Sequence, residues 1–217
     1  MSQRGFTLLE VLITLIILAI GMLGLANLQS KIHVTEVESY QRAHAVLLLQ
    51  DMTDRINSNR KTAGGYATGY TLGTKSDLPD LATFTPDCET ACKNDNDPAP
   101  PNCGALCSIA YTEIENWSQA LQGASEQRGG GGNAGGMIDA RGCIAQVQAA
   151  NPAVGVCTPG VYRVTVAWQG LHKTKAPPDG LPCGKDQYGE AADPQRDTLR
   201  RAISTEISIG LPRCASP

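Results

Sequence analysis

One carboxylate, Glu10, interrupts a run that is otherwise almost wholly apolar from Phe6 to Leu28. As a helix rising about 1.5 Å per residue, such a run can cross a bilayer core of about 30 Å. A carboxylate there costs about 2.5 to 3.5 kcal/mol on insertion scales and asks for a positive partner. Arg4 supplies a cytoplasmic positive charge, and Gly5 is a small, flexible residue at the membrane face. An ordinary secretory signal is cut after its apolar run. Here the order is inverted: cutting between Gly5 and Phe6 keeps the apolar helix and leaves a new amine on Phe6. Within one chain about a helical turn separates Phe6 from Glu10. A neighbouring subunit, staggered along the helix axis, can bring its amine to this carboxylate.

The second reactive set is eight cysteines, Cys88, Cys92, Cys103, Cys107, Cys143, Cys157, Cys183 and Cys214, all beyond the apolar run. With the Arg4 end in the cytosol, they face an oxidising compartment, most simply a bacterial periplasm, where disulfides are the default. Cys88 and Cys92, like Cys103 and Cys107, are four residues apart and share a helix face. Two short antiparallel helical turns around the Asp95–Pro101 loop can be stapled as Cys88–Cys107 and Cys92–Cys103. Alternatively, four thiolates hold a tetrahedral zinc. Compartment and spacing favour disulfides, while the connectivity stays open.

Other chemistry is weakly supported. His33 and His44 fall near one helix face, with no carboxylate or Cys fixed beside both. Asp95 and Asp97 lack the Gly and distal Glu of a calcium loop. Gly130, Gly132 and Gly135 form a G-x-G-x-x-G, but it follows a polar stretch rather than a buried strand, so it reads as a flexible linker. His172 has no sequence-readable nucleophile, and neither G-x-S-x-G nor H-E-x-x-H occurs. The net charge of -3, without a dense basic stretch, gives no argument for nucleic acid and leaves that question open. No catalytic residue, metal or cofactor is expected.

Gly5-Phe6-Thr7-Leu8-Leu9-Glu10-Val11-Leu12-Ile13 resembles the class III leader and amino-terminal helix of type IV pilins and of the pseudopilins of type II secretion. The continuation Ile20-Gly21-Met22-Leu23-Gly24-Leu25-Ala26-Asn27-Leu28-Gln29 is similar to minor pilins of the PilV kind. So are Cys107-Ser108 with Trp117-Ser118-Gln119-Ala120-Leu121, while the stretches Tyr162 to Gln169 and Arg200 to Ser204 resemble strands of the pilin head. The resemblance implies cleavage after Gly5 by a prepilin peptidase, N-methylation of Phe6 and use of Glu10 in assembly. It implies a non-enzymatic minor pilin supporting pilus biogenesis, adhesion or motility. Its partners would be other minor and major pilins, the peptidase and methyltransferase, an inner-membrane assembly platform and, before assembly, membrane lipid; no small-molecule substrate is implied. The chain would sit in the inner membrane with a periplasmic head, then in the fibre or its tip. A bridge Cys183–Cys214 would match the family's closed carboxy-terminal loop, with Cys143–Cys157 completing the set. The alternatives are a type II secretion minor pseudopilin and a membrane-tethered periplasmic metal-binding protein or enzyme.

These residues need an α+β, pilin-like scaffold. From Lys31 the apolar residues Val34, Val37, Tyr40, Leu47, Leu48, Met52 and Ile56 recur at three- and four-residue steps. With no Pro before Lys61, one helix of about 55 residues, on the order of 80 Å, is expected, with Gly64-Gly65 as its stop. Gly21 and Gly24 are weak spots or points of close helix contact. Residues 63–87 read as a loop. A helix follows over 108–121, with Ile114, Trp117 and Leu121 as its stripe, then strands over 137–147, 161–169 and 202–209. The antiparallel sheet is expected to have one buried and one wet face and to rest on the Val37–Ile56 stripe. The segments are then a leader 1–5, a membrane and fibre-core helix 6–28, an amphipathic continuation 29–61 and a head 62–217.

Overall fold

A computed structural model describes residues 5, 7–67, 69–96, 99–124, 129, 133, 135–153 and 155–211. The chain forms two compact units, Met1–Gln41 and Arg42–Pro217. Helix α1, Leu8–Ser58, begins in the first and ends in the second.

In the first unit α1 carries its apolar side chains on every side, and they are exposed, Leu8 to 85%. Its apolar window has a mean hydropathy of 2.6 and passes the length and composition test for a membrane span. A helix apolar all round suits lipid or other helices rather than water. α1 continues unbroken through Gly21 and Gly24.

The second unit is built around the last turns of α1. Ala45, Leu48, Leu49, Met52 and Ile56 are buried there at helical spacing. This corrects the expected stripe, because Val37, Tyr40 and Leu47 are 43%, 54% and 62% exposed. The inward face is set by Ala45 and Leu49, which the apolar pattern passed over. α1 also stops earlier than expected. A 3-10 turn, Arg60–Thr62, and the short helix α2, Ala63–Tyr66, follow it. Gly64 and Gly65 therefore lie inside a helix. A Cβ on Gly65 would stand 2.3 Å from Cys88 Sγ, and one on Gly64 would stand 2.2 Å from Asp95 Oδ2. The pair permits close backbone approach rather than ending the helix.

The expected loop over 63–87 is mostly ordered structure. Strand β1, Thr71–Gly73, is followed by α3, Leu81–Asn94. Asp80 starts α3: its side chain accepts a hydrogen bond from the Thr83 amide at 2.9 Å. Phe84, Cys88 and Cys92 form its buried face. Two threonines and Pro86 hide this helix from propensity reasoning, yet the cap and the buried face outweigh them. α4, Cys103–Leu121, begins five residues before the expected helix. Bridges Cys88–Cys107 and Cys92–Cys103 are nested, so they align α3 and α4 antiparallel. All four thiols of the zinc alternative are thereby consumed.

Strands β2, Arg141–Gln148, β3, Gly160–Gln169, and β4, Arg200–Ile209, complete an antiparallel sheet in the order β1-β2-β3-β4. Tyr162, Val164, Val166 and Trp168 face the main core with Ile144, Met52, Ile56 and Trp117. Trp117 ties α4 to α1: its indole Nε1 donates to the Leu48 carbonyl at 2.8 Å. The opposite face is not wet throughout. The chain after β3 folds back across it and buries Ala167, Cys183 and Tyr188.

That return crossing explains the third bridge, Cys143–Cys183, with Cα atoms 5.8 Å apart. It overturns both expected partners, Cys143–Cys157 and Cys183–Cys214. Cys143 lies opposite Thr165 in the ladder, whereas Cys157 lies beyond the β2–β3 pairing at Gln148 and Val161. Five residues of strand put about 16 Å between Cys143 and the start of that hairpin end, past the reach of a disulfide. Cys157 is itself disulfide-bonded. Cys214 lies outside the described residues.

Candidate functional site

At the amino end, Gly5 is exposed and precedes the helix, and Thr7 caps it. The Thr7 carbonyl accepts from the Val11 amide at 3.3 Å, and Thr7 Oγ1 accepts from the Glu10 amide at 3.3 Å. Thr7 and Glu10 thus occupy the first and last positions of an S/T-x-x-E capping box. Glu10 lies in the first turn of α1, where the helix dipole favours a negative charge. Its carboxylate is exposed and has no ion-pair partner among the described residues. Phe6 and Arg4 lie outside the described residues. The arrangement is an apolar helix that begins just past the expected cut and holds, among the described residues, an acid without an ion-pair partner between exposed aliphatic side chains.

The polar groups of the second unit are mostly engaged in holding its parts together. Arg200 is buried, and its guanidinium donates to both Asp197 oxygens at 2.7 and 2.9 Å and to the Leu181 and Cys183 carbonyls. Arg200 holds the Asp197 carboxyl below the usual carboxylate range. Arg141 pairs with Asp139 at 3.2 Å and stands over the Tyr188 ring. Burial pushes the Tyr188 phenol upward. The Tyr66 hydroxyl donates a hydrogen bond to Glu113, and Asn59 donates to both. Burial, followed by the Glu113 carboxylate, raises Tyr66. Asp95 accepts from the Tyr162 hydroxyl at 2.9 Å and from the Gly64 amide, and burial raises it despite both bonds.

None of these clusters brings the expected alternatives together. His33 Nδ1 lies 3.2 Å from the Glu36 carboxylate and is exposed. Among the described residues, no group of three or more His, Cys, Asp or Glu side chains converges as metal ligands. Asp97, Gly130 and Gly132 lie outside the described residues. The His172 carbonyl accepts a hydrogen bond from Arg201. Sequence reading missed three features: the Thr7 cap, the Arg200–Asp197 fork and the Asp95–Tyr162 pair. Only the first had a local signal, the Thr-x-x-Glu spacing itself.

Residues 1–26 match a family model described as the prokaryotic N-terminal methylation motif. No curated protein and no solved structure matches the chain. The matched segment contains Gly5, Thr7 and Glu10, and it gives the chain the amino terminus of a type IV pilin-like or pseudopilin precursor.

Proposed function

We propose that this chain is the precursor of a minor subunit of a type IV pilus. It is cut between Gly5 and Phe6, methylated on the Phe6 amine and built into the fibre, or into the complex that primes it, through α1. The observation that carries this reading is Glu10, exposed and without an ion-pair partner among the described residues of an apolar helix matched by the methylation motif. The Phe6 amine of an adjacent subunit neutralises Glu10, offsetting the cost of about 3 kcal/mol for an acid at membrane depth. The apolar side chains around α1 then bundle with those of neighbouring subunits in place of lipid.

In this reading residues 1–5 are the leader, 6–28 the membrane and fibre-core segment, 29–61 its continuation and 62–217 a periplasmic head. The bridges of the head suit an oxidising compartment. The role is structural: partners are other pilins, the processing enzyme and the assembly platform, and no reaction is assigned to the chain. The methylation motif serves a type II secretion pseudopilin equally well. A gene neighbourhood with secretion components and no twitching or adhesin genes would transfer the same physical account to that machine.

Glu10→Ala tests the reading. The variant should be cleaved normally, because Gly5 is untouched, and should fail to enter the fibre. Wild-type incorporation would refute the role of Glu10. Replacing Gly5 with a bulky residue should leave a precursor five residues longer by mass; unchanged processing would reject the cut site.

A further inference from the structure

A cleft of about 370 Å³ opens in the second unit where the 3-10 turn after α1, the chain leaving α3, the chain after β2, the start of β3 and the end of β4 meet. Tyr162, Ile209 and Leu211 give it an apolar wall. Arg60 and Lys61 stand on its rim, both exposed. Among the described residues neither forms an ion pair, and the Arg60 guanidinium donates to the Asn57 carbonyl. Asp95 also lines the cleft. It is half-buried, holds hydrogen bonds from Tyr162 and Gly64, and is not paired with either cation. A carboxylate offers about four lone-pair sites, so Asp95 keeps room for another donor.

We propose that this cleft receives the carboxy-terminal residue of another polypeptide, one with an apolar side chain. Such a residue presents three groups in fixed order: an amide N–H, a side chain and an α-carboxylate. The N–H donates to the spare capacity of Asp95, the side chain lies on Tyr162, Ile209 and Leu211, and the carboxylate meets Arg60 and Lys61. A purely anionic ligand would be repelled by Asp95 and bring no donor to its spare lone pairs. A purely cationic one would meet two like charges at the rim. A chain end satisfies both, and the space suits one or two residues. This site is independent of how the amino terminus is processed, and its test does not require fibre assembly.

The probe is N-acetyl-Leu-Leu with a free carboxylate, titrated against the full chain in detergent micelles at low salt and followed by NMR shifts of Tyr162 and Ile209. The matching amide, N-acetyl-Leu-Leu-NH2, should bind about tenfold more weakly, the combined effect of two exposed charge pairs. The double variant Arg60→Gln/Lys61→Gln should lose the same factor and no longer distinguish acid from amide. Both cations are exposed, so its thermal midpoint should match the wild type and show that the fold persists. Equal binding of acid and amide, full binding by the double variant, or no binding of the acid at millimolar concentration would each overturn the proposal. Binding of 4-methylpentanoate, which has the side chain and carboxylate but no amide N–H, as tight as the dipeptide would overturn the assignment to a polypeptide end and point to a small organic acid.

Discussion

Gly142 is a residue at which a single added carbon should press directly on the core. It lies on the core side of β2, where an ideal Cβ would stand 2.3 and 2.4 Å from Trp117 Cζ3 and Cη2 and 2.6 Å from Leu121 Cδ1. Ordinary carbon contacts are about 3.5 to 4.0 Å, so Gly142→Ala requires more than an ångström of movement. The Trp117 ring has little freedom to give it: it is fully buried and its Nε1 is held at 2.8 Å by the Leu48 carbonyl. Overpacking of this kind costs about 1 to 3 kcal/mol, and the pinned ring places Gly142→Ala toward the upper end. For a domain of this size each kcal/mol lowers the midpoint by about 2 to 4 °C, so about 3 kcal/mol gives a fall of roughly 6 to 12 °C. Circular dichroism melts of the full chain measure it, with Gly180→Ala as control, since nothing lies within 4 Å of a Cβ there. Combined with Gly142→Ala, Trp117→Phe should cost less than it does in the wild type, because the smaller ring vacates the clash. A Gly142→Ala midpoint within 1 °C of wild type, or a Trp117→Phe penalty that is the same in both backgrounds, would refute the packing argument.

Asp197→Asn should destabilise the second unit by about 3 kcal/mol, read from urea midpoints, because it leaves the buried Arg200 charge without its carboxylate. The Asp197 carboxyl is depressed in the fold, so its stabilisation is complete above the usual carboxylate range and is lost as pH falls through the folded value. The Asn variant should therefore lose less stability on acidification than the wild type does. Non-reducing peptide mapping should recover Cys143 joined to Cys183 and no peptide joining Cys183 to Cys214; the reverse would overturn the return crossing. Thr7→Ala should weaken the first turn of α1 by about 1 kcal/mol, seen as faster amide exchange at Glu10 in bicelles. Thr7→Ser and Glu10→Ala should both keep that protection, because the bond uses the Glu10 backbone; equal exchange in all three would refute the cap.

What the sequence disclosed, and what it hid, follows from the range of the interactions involved. The apolar helix, the 161–169 and 202–209 strands and the Cys88-to-Cys107 staple announce themselves through spacing, because each is decided within a few residues. α3 was hidden because its support is not local: Phe84, Cys88 and Cys92 are held by α2 and α4, against the preferences of Thr83, Thr85 and Pro86. Gly64-Gly65 misled for a related reason. A glycine that ends a helix and one that lets Cys88 and Asp95 approach look alike until the neighbours are known. Cys143 and Cys183 could not be matched by separation along the chain, since their meeting depends on residues 170–199 doubling back over the sheet. At the amino end, Gly5 and Glu10 were singled out by the sequence while the Thr7 cap was overlooked, and the cleft at Asp95 is assembled from five separate segments and left no trace in the sequence.

The nested pairing of α3 with α4 also makes an early step available during biosynthesis. Both of its bridges are closed within residues 88–107, and α4 is complete by Leu121, before any residue of the three long strands has emerged. This helical pair can therefore oxidise on a nascent polypeptide that still has no sheet. Cys143 must wait some forty residues for Cys183. If the head reaches an oxidising compartment as proposed, a shortage of oxidant late in that passage should leave more molecules with an intact helical hairpin and an unsealed sheet than the converse.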